Sequence, residues 1–153
     1  MYDYPFMAAR AGTLTVGLGL LLGLAWTRRT GWGCGGIITP GLLALHANEP
    51  ARMAAVIAVG VLLTPLVTGA SRLFGLYGRE RIGAAMLLAL GASVLLPIAG
   101  SPVAMYWVGW VVPGLIAADA DRQGVCMTLA GTVSCAVATA FCAGMLAMAG
   151  ARA

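Results

Sequence analysis

Few side chains in this sequence are equipped for chemistry, and most of those lie in three short stretches. Glu49 stands at the end of GGIITPGLLALHANEP (Gly35 to Pro50), and Asp119 and Asp121 end the similar stretch GWVVPGLIAADADRQG (Gly109 to Gly124). A carboxylate can act as a general base or hold a cation, and Asp119-Ala-Asp121 has the outline of a metal-binding DxD. Three residues are too short a pattern to distinguish that from the wetted end of a helix. The only histidine is His46, and Cys34, Cys126, Cys135 and Cys142 show no CxxC spacing, so no metal site is expected and the thiols read as small apolar filler. There is no HExxH, GxSxG or Walker loop, and no lysine for phosphate or Schiff-base work. No catalytic residue is assigned.

The third stretch is basic. In LYGRER, Leu76 to Arg81, the arginines Arg79 and Arg81 follow Tyr77 and Gly78, and Arg72 lies just upstream. Guanidinium groups pair with carboxylates in bidentate geometry, which suits a docking surface for an acidic partner or a polyanion. Arginines also accumulate at the cytoplasmic edge of membrane proteins for topological reasons alone. Both readings stand at this point.

The elements that carry these residues follow from composition. Of 153 residues 61% are hydrophobic and 9% charged, where a soluble domain carries roughly 25% charged residues. The nine arginines and five acidic residues fall in clusters, separated by uncharged runs of 17, 19, 19, 37 and 29 residues. About 20 residues cross a bilayer as a helix, so an all-α, polytopic membrane bundle is expected. The run of 37 is too long for one helix and contains PIAGSP (Pro97 to Pro102), which predicts a break. Met1 to Arg10, with Tyr2, Asp3, Tyr4 and Phe6, reads as an interfacial anchor rather than a cleaved leader.

The two stretches quoted above coincide at an offset of 73 residues, which sets Pro40-Gly41 on Pro113-Gly114. The expected architecture is therefore a single membrane domain of two pseudo-symmetric repeats, about 11–74 and about 82–150, around a hinge at about 75–81. Each repeat would be a long helix, a membrane segment broken at Pro-Gly, and a second long helix. If both broken segments cross, Arg28, Arg29, Arg72, Arg79, Arg81 and Arg122 share one side against Arg10, Arg52 and Arg152. If both re-enter, the split is five against four. The positive-inside rule favours six crossings, with the second repeat inverted, and in either case the hinge is cytoplasmic. The glycine spacing of Gly19 to Gly23, with Gly12, Gly17 and Gly31, argues for close helix contacts or a homo-oligomer.

Taken in order, RTGWGCGGIITPGLLAL, NEP, LYGRERIGAAML and GWVVPGLIAADADRQG followed by an apolar helix resemble the PgsC/CapC family. These are small membrane subunits of the bacterial poly-γ-glutamate capsule machinery, and the likeness runs from about Thr30 to the C-terminus. Tyr77, Gly78 and Arg79 match the family's hinge motif, and Pro40, Gly41, Pro113 and Gly114 its paired Pro-Gly motifs. The resemblance implies a multi-pass protein of the cytoplasmic membrane that takes part in capsule biogenesis, a virulence trait. It implies a non-catalytic subunit without a cofactor of its own, with ATP and Mg²⁺ belonging to a cytoplasmic glutamate ligase that it anchors and activates. Other capsule-synthesis membrane subunits and the polyglutamate chain are the remaining expected partners, with no nucleic acid. A path guiding the polymer across the membrane is compatible with this. An independent small transporter or channel is the alternative, and an embedded enzyme using Glu49, Asp119 or Asp121 has the least to support it.

Overall fold

A computed structural model describes residues 4–98 and 111–150, with side chains placed for 12–95 and 111–149. The PIAGSP break and the side chains of the N-terminal MYDYPFMAAR lie outside the described residues. The fold is all-α, with α1 Tyr4–Thr30, α2 Thr39–Leu45, α3 Pro50–Phe74, α4 Arg79–Ile98, α5 Val111–Gln123 and α6 Val125–Gly150. Two of these, over Pro50–Phe74 and Val125–Ala149, are long and apolar enough by length and composition to cross a membrane.

Glycine sets the punctuation. Gly31, Gly35 and Gly36 all take positive φ, a region closed to most side chains, and they interrupt the chain between α1 and α2. Gly75 ends α3 in the left-handed conformation, with Leu76 N–H donating to Ser71 O at 3.1 Å, and Gly78 turns the chain into α4. The connection between halves is thus residues 75–78, and Arg79, Glu80 and Arg81 form the first turn of α4 rather than a free hinge. Gly124 alone separates α5 from α6.

The first Pro-Gly motif follows the irregular stretch 31–38, and the stretch ahead of the second lies outside the described residues. Pro40 is the second residue of α2, where its missing N–H would have no partner anyway, and Pro113 is the third described residue of α5. Gly41 and Gly114 are helical, and their role is closeness. A Cβ on Gly41 would come within 2.9 Å of Val16 Cα on α1, and one on Gly114 within 3.0 Å of Ala85 O and 3.2 Å of Ala89 Cβ on α4.

Contacts fix the direction of each segment. Gly33 meets the end of α5 through Gln123, Gly41 meets Val16, and Leu45 reaches towards Gly12, so residues 31–45 run antiparallel to α1 from one end of the bundle to the other. α5 runs parallel to α3, with Pro113 and Ile116 at Gly60 and Asp121 at Thr68, and antiparallel to α4, where Asp121 meets Arg81. α2 packs between α1 and α6, and α5 between α3 and α4, with α1 also against α6 and α3 against α4. Arg28, Arg29, Arg72, Arg79, Arg81 and Arg122 therefore gather at one end, and the Glu49–Arg52 pair lies at the other.

The packing departs from that of a water-soluble bundle chiefly in how many large apolar side chains it leaves outside. Many buried positions are small or hydroxylated, among them Ala85, Ala89, Ala117, Ala136, Thr39, Thr64, Thr128, Thr132 and Thr139, beside the aliphatic Leu43, Val56, Leu63, Val67, Val112 and Ile116. Large apolar side chains point outward, including Leu21, Leu62, Leu66, Leu87, Val137 and Phe141. The buried threonines Thr64, Thr132 and Thr139 donate to the carbonyl four residues back, so their hydroxyls are satisfied within their own helices.

Candidate functional site

At the arginine-rich end α3, α4 and α5 enclose a cleft of about 500 Å³, lined by Thr64, Thr68, Ser71, Arg72, Leu76, Tyr77, Arg81, Ala120 and Asp121. Three of its residues are the hydroxyls Thr64, Thr68 and Ser71, at spacings of four and three on α3, which set them on one helix face. Opposite them Asp121 accepts from Thr68 Oγ1 at 2.5 Å and pairs with Arg81, Nη1 to Oδ2 at 3.2 Å. The Asp121 side chain is 7% exposed and that of Arg81 21%, so the pair is largely removed from water. Arg81 Nε is buried and has no hydrogen-bond partner among the described residues.

Arg72 and Tyr77 stand at the mouth, with Tyr77 77% exposed. Arg72 and Arg79 make no ion pair with another described residue, so their charge faces outward. A smaller recess of about 250 Å³ adjoins, lined by Gly78, Arg79, Arg81, Ile82, Ala118, Asp119 and Arg122. Arg81 belongs to both. The expected binding residues Arg72, Tyr77, Gly78, Arg79 and Arg81 are thus brought together, and two of the three acidic residues join them.

Those acidic residues are not a wetted helix end. Asp119 is 22% exposed at its side chain, and its Oδ2 accepts from Gly36 N–H at 3.0 Å, while Oδ1 lies 4.0 Å from Arg122. Gly33 has to be glycine here, because a Cβ would collide with the Asp119 carboxylate. Glu49 is separate, paired with Arg52 at 2.6 Å at the start of α3. Roughly 30 Å of helix divides it from Thr68 and Asp121, at 1.5 Å per residue. No group of three or more metal-ligating side chains occurs among the described residues.

Sequence reasoning missed Gln123. Its amide clamps Gly33 on both sides: Gly33 N–H donates to Oε1 at 2.7 Å, and Nε2 donates to Gly33 O at 2.7 Å and to Thr128 Oγ1 at 2.9 Å. Gln123 is the only glutamine in the chain, a polar exception beside the DAD motif that marked it for attention. Together Asp119 and Gln123 fasten the glycine-rich link before α2 to the end of α5.

With that geometry in hand, the comparisons with known proteins become specific. The family model for capsule biosynthesis CapC matches residues 18–129, which includes both Pro-Gly motifs, the arginine turn and the Asp119–Gln123 segment. This chain belongs to the capsule biosynthesis CapC family. Among CapC relatives, the capsule biosynthesis protein CapC of Bacillus anthracis is 35% identical over 128 residues, covering 80% of this chain and 86% of that one. The PGA biosynthesis protein CapC of Bacillus subtilis (strain 168) is 34% identical over 128 residues, with the same coverage. No solved structure matches. The CapC match starts within α1, ahead of the motifs at Thr30 that first carried the resemblance, and stops in the first turns of α6.

Proposed function

We propose that this CapC family member is a polytopic, non-catalytic membrane subunit of a poly-γ-glutamate synthase, which anchors and activates a cytoplasmic ATP-dependent glutamate ligase. The observation that carries this reading is the gathering of Arg72, Tyr77, Arg79 and Arg81 around the cleft and its adjoining recess at the arginine-rich end. The relative named for PGA biosynthesis supports poly-γ-glutamate as the product. ATP and Mg²⁺ belong to the ligase.

The apolar exterior supports a membrane setting. An exterior of Leu, Val and Phe, over a core in which Ala, Gly and Thr lie among Val, Leu and Ile, is stable in hydrocarbon, where small residues let helices approach and hydroxyls bond to their own backbone. The direction of residues 31–45, from the arginine-rich end to the Glu49 end, favours crossing over re-entry. The arginine-rich end is then cytoplasmic, in the inner membrane.

Two repeats in one membrane domain remain part of this reading, near 11–74 and 79–150 once the first turn of α4 is included. α2 lies against α1 and α6 as α5 lies against α4 and α3, so each short helix sits between the first helix of its own half and the last of the other. Two approaches at the offset of 73 support it: Gly41 to Val16, and Gly114 to Ala89.

Beneath the cleft, Val59, Leu63, Val67, Ala85, Ala89 and Ala117 pack together. That apolar floor favours docking over a polymer path through one chain, and it favours the synthase subunit over an independent channel. The test is incorporation of radiolabelled glutamate in membrane vesicles holding the cognate ligase with or without this protein, supplied with ATP and Mg²⁺. Polymer is expected only with both. Equal polymer from the ligase alone refutes the anchoring and activating role.

A further inference from the structure

A second feature at the arginine-rich end lies outside the cleft, on the outer seam between α1 and α6. A groove of about 310 Å³ runs there between Leu22, Ala25 and Trp26 on one side and Ser134, Cys135 and Ala138 on the other, with Arg29 and Thr30 at its upper rim. We propose that this groove holds one anionic phospholipid, its acyl chain between Leu22 and Ala138 and its phosphate on Arg29, with Arg28 beside it. The inference rests on the membrane reading above.

Three observations converge. Apart from the Trp26 indole N–H and the Ser134 hydroxyl the walls are apolar, and one end carries two exposed arginines that pair with no described carboxylate. From Arg29 to Leu22 the groove descends roughly 10 Å at 1.5 Å per residue, within a leaflet of roughly 15 Å of hydrocarbon. Ser134 is the exception among hydroxyls here. Thr27, Thr30, Thr128, Thr132 and Thr139 each donate to a carbonyl one turn back, whereas Ser134 is exposed in the groove and makes no hydrogen bond to a described residue. A lone hydroxyl on an otherwise greasy wall suits an ester or phosphate oxygen of a lipid.

The same seam supplies its own contrast. Further along, a groove of about 320 Å³ lies between Leu14, Leu18, Ala143 and Leu146, and among the described residues no charged side chain lines it. It has room for a chain, and its described lining offers no charge to select a headgroup. Basic rims on clefts between membrane helices are the arrangement that retains acidic lipids, through guanidinium contacts of the kind phosphates favour.

Native mass spectrometry of the full-length protein, exchanged into equal phosphatidylglycerol and phosphatidylcholine of identical chains, tests this. Phosphatidylglycerol should be retained over phosphatidylcholine by about tenfold. R28Q/R29Q should bring the ratio close to one, and Ala138→Phe, which fills the groove without altering charge, should lower bound lipid of both kinds. No headgroup preference in the wild type overturns the proposal, as does a preference that survives R28Q/R29Q. A carbonate wash of the source membranes separates this from the reading beneath it. Protein that washes off refutes the membrane setting itself, whereas protein that stays in the membrane yet shows no preference refutes only the lipid site.

Discussion

Arg81 and Asp121 meet at 3.2 Å between the first turn of α4 and the last turn of α5, and Thr68 of α3 bonds the other carboxylate oxygen. Three helices from both halves of the chain are tied by this one contact. Removing one partner leaves a charge or a strong acceptor stranded in a nearly dry place, which typically costs about 3–5 kcal/mol. D121N should therefore lower the thermal unfolding midpoint of detergent-solubilised protein by several degrees, and R81Q likewise. The double variant R81M/D121L should recover most of the loss, since an apolar pair of similar bulk leaves nothing unpaired. A double variant less stable than either single one would show that the pair is not the source of the effect.

Gln123 offers a sharper local test. Truncation by Q123A deprives both the N–H and the C=O of Gly33 of their partner, and each unsatisfied buried group costs about 1–3 kcal/mol. The link 31–38 should then exchange amide hydrogen at least tenfold faster, while the middle of α3 stays protected. Q123E retains the acceptor for Gly33 N–H but loses the donor, and should fall between the two. Uniform acceleration across all helices would instead mean that the clamp holds up the whole bundle.

The glycines divide into those that touch and those that do not. A Cβ on Gly19 would overlap the Gly41 backbone, and one on Gly41 would press on Val16, so G19A and G41A both drive α1 and α2 apart. Gly17 and Gly69 have open space where a Cβ would go. G17A and G69A should express and purify as the wild type does, with a slight gain from lower unfolded-chain entropy. G19A and G41A should give poorly folded protein by size-exclusion chromatography. Normal behaviour of G19A would mean that the α1–α2 crossing is looser than described.

Much of this was readable in the sequence, and the exceptions share a cause. The uncharged runs and the arginine clusters located the long helices and sorted their ends, because the cost of burying charge acts along the chain itself. The offset of 73 residues picked out Gly41 and Gly114, though as breaks rather than contacts, since whether a glycine turns or touches depends on a neighbour. Gly31, Gly35 and Gly36 do the turning. Asp121 read as a solvated helix end because its partners, Thr68 and Arg81, lie 53 and 40 positions away. Gln123 stood out as the only glutamine, but its partner did not, with Gly33 90 positions distant. Short-range pattern cannot encode a pairing that only the fold creates.

The same burial decides how docking must be tested. Arg81 is unsuitable for charge reversal, because a carboxylate in its place would face Asp121 and unfold the site. Arg72 and Arg79 are exposed and free of ion pairs with described residues, so R72E/R79E changes the surface and leaves the tie intact. Two reversed charges alter the local charge by four, and attraction between exposed charges decays over about 10 Å at 0.1 M salt. Ligase recovered with membranes should fall at least tenfold in R72E/R79E, and wild-type recruitment should weaken as salt rises from 50 to 500 mM. R72K/R79K keeps the charge without the planar fork and should recruit partially. Full recruitment by the reversed variant, at unchanged protein level and thermal stability, would move the docking surface away from the cleft.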